Sequence, residues 1–296
     1  MQFEIDKHKI NLNNALSHEE LKFIDDREFV FNEDDFNFIK EFIYQITGIV
    51  LHPEKKVMVY ARLSRRLREL NLHSFAEYCR LINEPQGSKE ITHLINALTT
   101  NLTKFFRESH HFDHLKNIVF GDFKKLQPGR NRSFRIWSAG CSSGEEPYSI
   151  AMVAADSLNL NEVDCKILAT DIDTQMLASA QTKAYKASPE IPKDYLQRFC
   201  DLGVGDTFNV KPQIKRLIHF KRLNLLEAWP MKGLFDVIFC RNVAIYFDKD
   251  TQINLFDRFA DILAPNGWLY IGHSENLHHI SERFKLLNKT IYQKIS

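Results

Sequence analysis

Four places in the 296-residue chain combine residue types and spacings able to do chemistry. In the first, the apolar run Ile136-Trp137-Ser138-Ala139 opens through Gly140-Cys141-Ser142-Ser143-Gly144 into Glu145-Glu146-Pro147. A strand that turns through two glycines into a helix lets backbone approach a nucleotide or amino-acid moiety closely, and a helix N-terminus favours a carboxylate or phosphate. The same turn can be purely structural, and it lacks the full G-x-G-x-x-G spacing of dinucleotide-binding loops. In the second, Asp171 closes the apolar run Cys165 to Thr170, where doubly wound folds place the acid that accepts from ribose hydroxyls. Asp173 suits the cap of the next helix, which leaves Asp171 for the ribose. In the third, Cys240 to Asp248 follows the run Phe235 to Phe239 and carries Asn242, whose carboxamide suits an adenine edge or an amino-acid head group. Asn224-Leu225 follows the preceding strand and can present a second amide. In the fourth, Thr99 to Glu108 strings Asn101 and Thr103 ahead of Phe105-Phe106-Arg107. The two phenylalanines read as packing residues, while Asn101, Thr103 and Arg107 can cover a ligand from the far side.

Two kinds of framework must position these residues. From Asp34 to about residue 109 the apolar pattern is helical, with Phe36, Ile39, Phe42, Ile43 and Ile46 on a 3.6-residue period and Gly48 at a helix end. A second helix from Pro53 to about Leu70 carries the stripe Tyr60, Leu63, Leu67 and Leu70, with Lys55, Arg62, Arg65 and Arg66 on another face. Ser74 caps a third helix, Lys89 to Leu98 makes a fourth, and His111 to Val119 bridges to the second half. There, turn chemistry around Pro128-Gly129-Arg130 precedes short apolar runs that alternate with helical segments, the pattern of a doubly wound α/β sheet. Phe284 to Ile295 alternates around Asn288-Lys289 and predicts a closing antiparallel hairpin. Residues 184–220 hold three prolines and two glycines, too long for a crossover loop, and predict a small β insertion.

Composition bounds the rest. There are 39 Lys+Arg against 38 Asp+Glu, a net charge of +1, which argues against an unspecialised nucleic-acid binder. No apolar run reaches membrane-span length, and acids stand where a signal peptide needs an apolar core. Five scattered cysteines without a C-x-x-C pair read as reduced thiols of a cytoplasmic protein, and no metal site is expected. The 23 phenylalanines read mainly as core. Residues 1–33 read as an acidic arm: ten acids against four bases between Glu4 and Asp35 give −6, whereas Lys55 to Arg68 holds six bases and no acid.

Taken together, TNLTKFFRE (Thr100 to Glu108), GEEPYS (Gly144 to Ser149), ATDID (Ala169 to Asp173), RNVAIYFD (Arg241 to Asp248) and GHSEN (Gly272 to Asn276) closely resemble the chemotaxis receptor glutamate methyltransferase family, CheR. The resemblance spans residues 34 to 296. It implies a class I S-adenosylmethionine-dependent methyltransferase: a Rossmann-like α/β domain (110–296) with a seven-stranded sheet, a C-terminal antiparallel hairpin and a β subdomain at about 184–220, preceded by an all-α domain (34–109). It implies transfer of methyl to glutamate carboxylates on the cytoplasmic helices of chemoreceptors, leaving S-adenosylhomocysteine. By position it implies Asn101, Thr103, Arg107, Gly140, Glu145, Asp171, Asn224, Leu225, Asn242 and Val243 as cofactor-binding residues. In parts of the family a similar insertion binds a C-terminal receptor peptide by strand addition.

Arg107 is then expected to hold a carboxylate and Tyr246 to line the transfer pocket, with Arg62, Arg65 and Arg66 docking the receptor helix. A monomer is expected. The competing readings are a non-catalytic S-adenosylmethionine- or receptor-binding module of the same fold, a nicotinamide-dependent oxidoreductase suggested by the glycine loop alone, and a nucleic-acid methyltransferase. The incomplete glycine pattern and closing hairpin disfavour the second, and the charge balance and absent Asn-Pro-Pro-Tyr motif disfavour the third.

Overall fold

The structure, a computed structural model, describes residues 28–125 and 132–295. Four helices build the N-terminal half: α1 (Glu33–Thr47), α2 (Lys56–Glu69), α3 (Phe75–Asn83) and α4 (Ser88–Leu98). Their ends follow local chemistry. The Asn32 side chain accepts from Asp35 N at 2.8 Å while Asp35 accepts from Asn32 N at 3.2 Å, a reciprocal capping box that satisfies two orphan donors of α1. Gly48 closes that helix with φ 73°, and Ser74 caps α3 by accepting from Glu77 N. The apolar faces meet in one core where Ile39, Ile43, Val59, Leu63, Leu67 and Tyr78 are fully buried.

The acidic segment up to residue 27 and the turn around Pro128-Gly129-Arg130 lie outside the described residues. The last residues expected in the arm do not behave as an arm. Phe29 and Phe31 are buried in the helical core, with Phe31 centred 4.2 Å from the Phe75 ring. Burying two phenylalanines outweighs the pull of the surrounding acids toward water, at roughly 1.5–3 kcal/mol each.

A helical bridge follows: α5 (His110–His114), a π-helical turn (Leu115–Val119) and α6 (Phe120–Lys125). The second half runs β1 (Arg132–Ala139), α7 (Glu145–Ser157), β2 (Val163–Asp171), α8 (Thr174–Thr182), β3 (Tyr185–Lys186), α9 (Lys193–Phe199), β4 (Cys200–Leu202), β5 (Thr207–Val210), α10 (Pro212–Lys215), β6 (Ile218–Arg222), β7 (Phe235–Cys240), α11 (Lys249–Ile262), β8 (Leu263–Ile271), β9 (Phe284–Asn288) and β10 (Ile291–Lys294). The main sheet has seven strands in the order β6-β2-β1-β7-β8-β10-β9. Neighbouring strands from β6 to β8 pair in parallel, and β10 runs antiparallel to both β8 and β9 as the expected hairpin. The strand order reverses between β1 and β7, which opens a crevice at their carboxyl ends.

The stretch 184–220 divides between two sheets. Its earlier strands form a separate three-stranded sheet, β3-β5-β4. Its last residues begin β6, which pairs with β2 at the edge of the main sheet rather than belonging to the insertion.

Candidate active site

The crevice at the strand reversal is closed from above by the helical half, leaving a cavity of about 290 Å3. The sheet half lines it through the ends of β1, β2 and β7 and the segments after β6 and β7. The helical half contributes Thr47, Val50, Met58 and the connecting segment Leu98 to Lys104, with Arg107.

The loop after β1 is held by its backbone. Gly140 N and Cys141 N both donate to Thr170 O, at 2.8 and 2.9 Å, which ties the loop to the end of β2. Gly140 has φ 79°, and a Cβ there would overlap the Val243 side chain, so this position excludes any larger residue. Asp171 is buried and accepts from Ser142 N at 2.7 Å and from Asp173 N at 2.9 Å. Burial pushes its carboxyl up to about 6 despite those two bonds. Asp173 is the cap of α8, accepting from Gln175 N and Met176 N. Its other oxygen accepts from Thr99 Oγ1 and Asn101 Nδ2, both at 2.8 Å. Further bonds fasten the roof: Asn224 Nδ2 donates to Ile46 O at 2.8 Å, Val50 N to Tyr246 O at 2.9 Å, and Tyr44 Oη to Asp248.

The expected cofactor-binding and transfer-pocket residues converge, with one exception. Asn101, Thr103 and Arg107 reach the wall from the connecting segment, and Gly140, Asp171, Asn224 and Leu225 from the sheet. Asn242, Val243 and Tyr246 complete it from the segment after β7. Asn224 holds its place with the side chain committed, since Nδ2 donates to Ile46 O and Oδ1 accepts from Leu226 N.

Glu145 is the exception. It turns away from the cavity, with Oε1 on Lys183 Nζ at 2.8 Å and Oε2 accepting from Ser143 Oγ at 2.7 Å. Glu146, about 100° further round the helix, takes the place on the wall. It accepts from Ser138 Oγ at 2.7 Å and faces Arg241 Nη1 at 3.3 Å. Burial raises its carboxyl against the pull of Arg241.

Arg241 was not singled out in the sequence, although it stands inside RNVAIYFD. Its side chain is 2% exposed and lies between two carboxylates, Glu146 and Glu108, the latter at 3.4 Å. It also donates to Arg107 O, so it fixes the backbone that carries Arg107. Burial opposes ionisation of Glu108, but Arg241 and His273 hold its carboxyl below the usual range.

The basic face of α2 is less free than its composition suggests. Arg62 donates to Ala97 O and Thr99 O at 3.1 and 2.7 Å, satisfying carbonyls at the end of α4. Arg66 is clamped on buried Glu90, with Nη2 at 2.7 Å, and on Glu69. Of the three expected docking arginines only Arg65 projects outward, its side chain 82% exposed and paired with Glu69 across one turn.

Known proteins match most of this chain in sequence. The family model described as the CheR methyltransferase all-alpha domain matches residues 34–99, and that of the CheR methyltransferase SAM binding domain matches residues 101–293. The chain belongs to the CheR methyltransferase family. "Chemotaxis protein methyltransferase 2" of Pseudomonas aeruginosa is 42% identical over 90% of this chain and 95% of its own length. "Probable chemotaxis protein methyltransferase" of Rhizobium etli is 45% identical over 79% of this chain and 90% of its own length. "Chemotaxis protein methyltransferase" of Escherichia coli is 43% identical over 87% of this chain and 89% of its own. Membership in CheR makes the chain an S-adenosylmethionine-dependent methyltransferase, and its all-α half followed by the seven-stranded sheet is the expected class I architecture.

The cavity fits that cofactor. Its wall offers buried carboxylates, Asp171 and Glu146, for hydroxyl and ammonium donors, apolar side chains such as Leu223 and Val243 for an aromatic base, and a cradle at Gly140 that a Cβ would fill. No helix among the described residues is long and apolar enough to cross a membrane.

Proposed function

We propose that the chain transfers the methyl group of S-adenosylmethionine to glutamate side-chain carboxylates on the cytoplasmic helices of chemoreceptors, giving glutamyl methyl esters and S-adenosylhomocysteine. Methylation in chemotaxis follows from the family and its relatives; the acceptor group is the added step. The observation that carries it is the placement of Arg107 on the cavity wall, together with exposed Lys55 on the same lining. Cations there receive an anionic acceptor, while the buried acids of the same cavity suit the hydroxyl and ammonium groups of the methyl donor.

The chemistry asks little of the protein in proton transfer. A free glutamate has a pKa of about 4.3, so the nucleophile is already ionised at neutral pH and no general base is assigned. Bound S-adenosylmethionine supplies an electrophilic methyl carbon on a positively charged sulfur. The residues of the chain do the remaining work. Asp171 accepts from the ribose hydroxyls, Glu146 receives the amino group, and Asn242 engages a polar edge. Arg107 orients the acceptor carboxylate, and Tyr246 walls the transfer pocket with Arg107. The roof made by residues 47–58 and 98–104 narrows the approach of water to the carboxylate and helps align the reactants.

The deciding assay incubates the protein with labelled S-adenosylmethionine and chemoreceptor membranes and reads base-labile methyl esters. Label that resists base defeats the carboxylate assignment, and no label at all favours the non-catalytic binding reading.

The raised carboxyl of Asp171 gives a pH signature. In the ligand-free protein it holds a proton below about pH 6, and that proton must leave before both oxygens can accept from ribose hydroxyls. Affinity for S-adenosylmethionine is therefore flat above about pH 7 and weakens below about 6 by up to roughly tenfold per pH unit. Asp171's own contribution to folding runs the other way. Its folded pKa lies above the unfolded 3.8, so stability is greatest with the proton bound and declines as pH rises from about 4 to 6. Calorimetric titration from pH 5 to 8 checks the affinity; a flat profile rejects the ribose assignment.

Receptor docking narrows to Arg65 and the rim around Lys55, since Arg62 and Arg66 have internal partners. Arg65→Glu raises the KM for receptor severalfold at low salt and less at high salt, leaving S-adenosylmethionine affinity unchanged. A receptor KM equal to wild type at low salt rules Arg65 out. The insertion extends the proposal: β4 is an edge strand with Leu202 72% exposed and Val204 beyond it 93% exposed, which suits addition of a receptor C-terminal peptide as a further strand. A monomer acting in the cytoplasm is expected, because the proposed acceptor helices lie there.

A further inference from the structure

The motif GHSEN, Gly272 to Asn276, contributes no residue to the cavity wall. Its glutamate nevertheless has an unusual environment. Glu275 is 8% exposed, and its carboxylate accepts four backbone N–H bonds from two segments. Asn242 N reaches Oε2 at 2.9 Å, and Gly272 N reaches the same oxygen. Val243 N and Ile245 N reach Oε1 at 3.0 and 3.3 Å. Three of the four donors belong to the segment after β7, which carries Asn242, Val243 and Tyr246 into the cavity.

That segment needs an anchor. Asn242 has φ 59°, a left-handed conformation that residues other than glycine adopt at a cost, asparagine less than most. The turn aims successive N–H groups inward, away from water, and a buried donor left unpaired is costly. A carboxylate in their midst satisfies all of them and, being charged, forms the stronger class of hydrogen bond. The fit is tight on the other side as well. A Cβ at Gly272 would overlap the Asn242 carboxamide and come within 2.8 Å of Asn242 N. The ends of β7 and β8 are thus locked to each other at the strand bordering the reversal, and the lock sets the rotation of Asn242 and Tyr246.

We propose that Glu275 is a positioning residue for the methyl-transfer site, holding the Asn242–Tyr246 segment in its strained, cavity-facing conformation from behind the wall. The proposal rests on the assignment of Asn242 and Tyr246 to the cofactor and transfer pocket.

The test compares Glu275→Gln, Gly272→Ala and Asn242→Ala with wild type, measuring S-adenosylmethionine Kd by calorimetry, kcat and KM with receptor, and the melting temperature. Glutamine keeps the shape of Glu275 but turns an amide NH2 toward N–H donors, so the segment must shift. The expected result for Glu275→Gln is a Kd raised about tenfold and a kcat lowered at least tenfold at a temperature where the protein is fully folded, with receptor KM little changed. Gly272→Ala disturbs the same segment while leaving the carboxylate in place, and should reproduce the pattern if Glu275→Gln does not fold. If Asn242→Ala weakens binding but both other variants keep wild-type Kd and kcat and lose only melting temperature, Glu275 is a purely structural residue and the proposal fails. If Asn242→Ala itself leaves Kd unchanged, the assignment of Asn242 fails instead, and a kcat loss in Glu275→Gln would then implicate Tyr246 alone.

Discussion

Arg107→Ala lowers turnover on receptor by about two to three orders of magnitude, while the melting temperature stays within a few degrees of wild type. The size follows from orientation: without the cation proposed to hold it, the acceptor carboxylate is misplaced relative to the methyl group, which costs on the order of 10² or more in rate. The separation of activity from folding follows from how the residue is mounted. Its neighbours Phe105 and Phe106 are buried, and Phe106 N donates to Ser149 Oγ at 3.0 Å. Phe106 and Glu108 both have positive φ, 50° and 57°, so the turn is fixed on either side of Arg107 by backbone and packing. Arg241 holds Arg107 O from below. The side chain itself makes one bond, Nη1 to Leu102 O at 3.0 Å, on the cavity wall. Removing it costs the fold little and removes the cation proposed to face the acceptor. Arg107→Lys keeps the charge without the planar fork and should fall between the two. Initial rates under saturating S-adenosylmethionine decide the matter, and turnover within threefold of wild type in the alanine variant removes Arg107 from the chemistry.

Arg241→Met has the largest expected effect on stability. The guanidinium separates Glu108 and Glu146, whose side chains are only 11% and 12% exposed, at 3.4 and 3.3 Å. Taking it away leaves two buried carboxylates near each other without a counter-charge. Breaking a buried ion pair from one side costs about 3–5 kcal/mol. For a chain of this size that lowers the melting temperature by roughly 10 °C, at about 2–4 °C per kcal/mol. The sign of the pH response is also set. With the cation gone both carboxyls rise and hold protons at higher pH, so the deficit is smaller in mild acid than at neutral pH. Melting curves at pH 5.5 and 7.5 check both statements, and a shift below 2 °C at neutral pH contradicts them. Arg241→Lys should recover part of the loss, since an ammonium can face one carboxylate well but does not bridge two and hold Arg107 O as well.

Local signals made most of the fold legible. Alternating apolar runs announced the sheet and its helices, Gly48 and Ser74 marked helix ends, and the Asn288-Lys289 turn marked the hairpin. The misses share a cause, since each was decided by a partner distant in the chain. Phe29 and Phe31 sit among acids and reveal themselves only against Phe75. Ile218 to Arg222 is short and charged, and only its register with Ile167 to Asp171 assigns it to the main sheet. Glu145 and Glu146 are indistinguishable in sequence; Lys183 draws one away, and Ser138 and Arg241 hold the other at the cavity. Arg62 and Arg66 looked like a solvent-facing pair until carbonyls of α4 and buried Glu90 claimed them. Asp171 and Asn242 stand out in the sequence because they follow strand ends, and Asn101 because a polar run is odd in a simple linker; all three line the cavity.

The roof of the cavity belongs to one half of the molecule and its floor to the other, joined by Asp173 to Thr99 and Asn101, by Asn224 to Ile46 and by Val50 to Tyr246. A cofactor between them is mortar as well as methyl donor. At a concentration 100 times its Kd, a ligand that binds only the folded form adds about 2.7 kcal/mol of stability, and here that gain accrues to both halves together. Saturating cofactor should therefore merge the melting of the helical bundle with that of the sheet into a single transition.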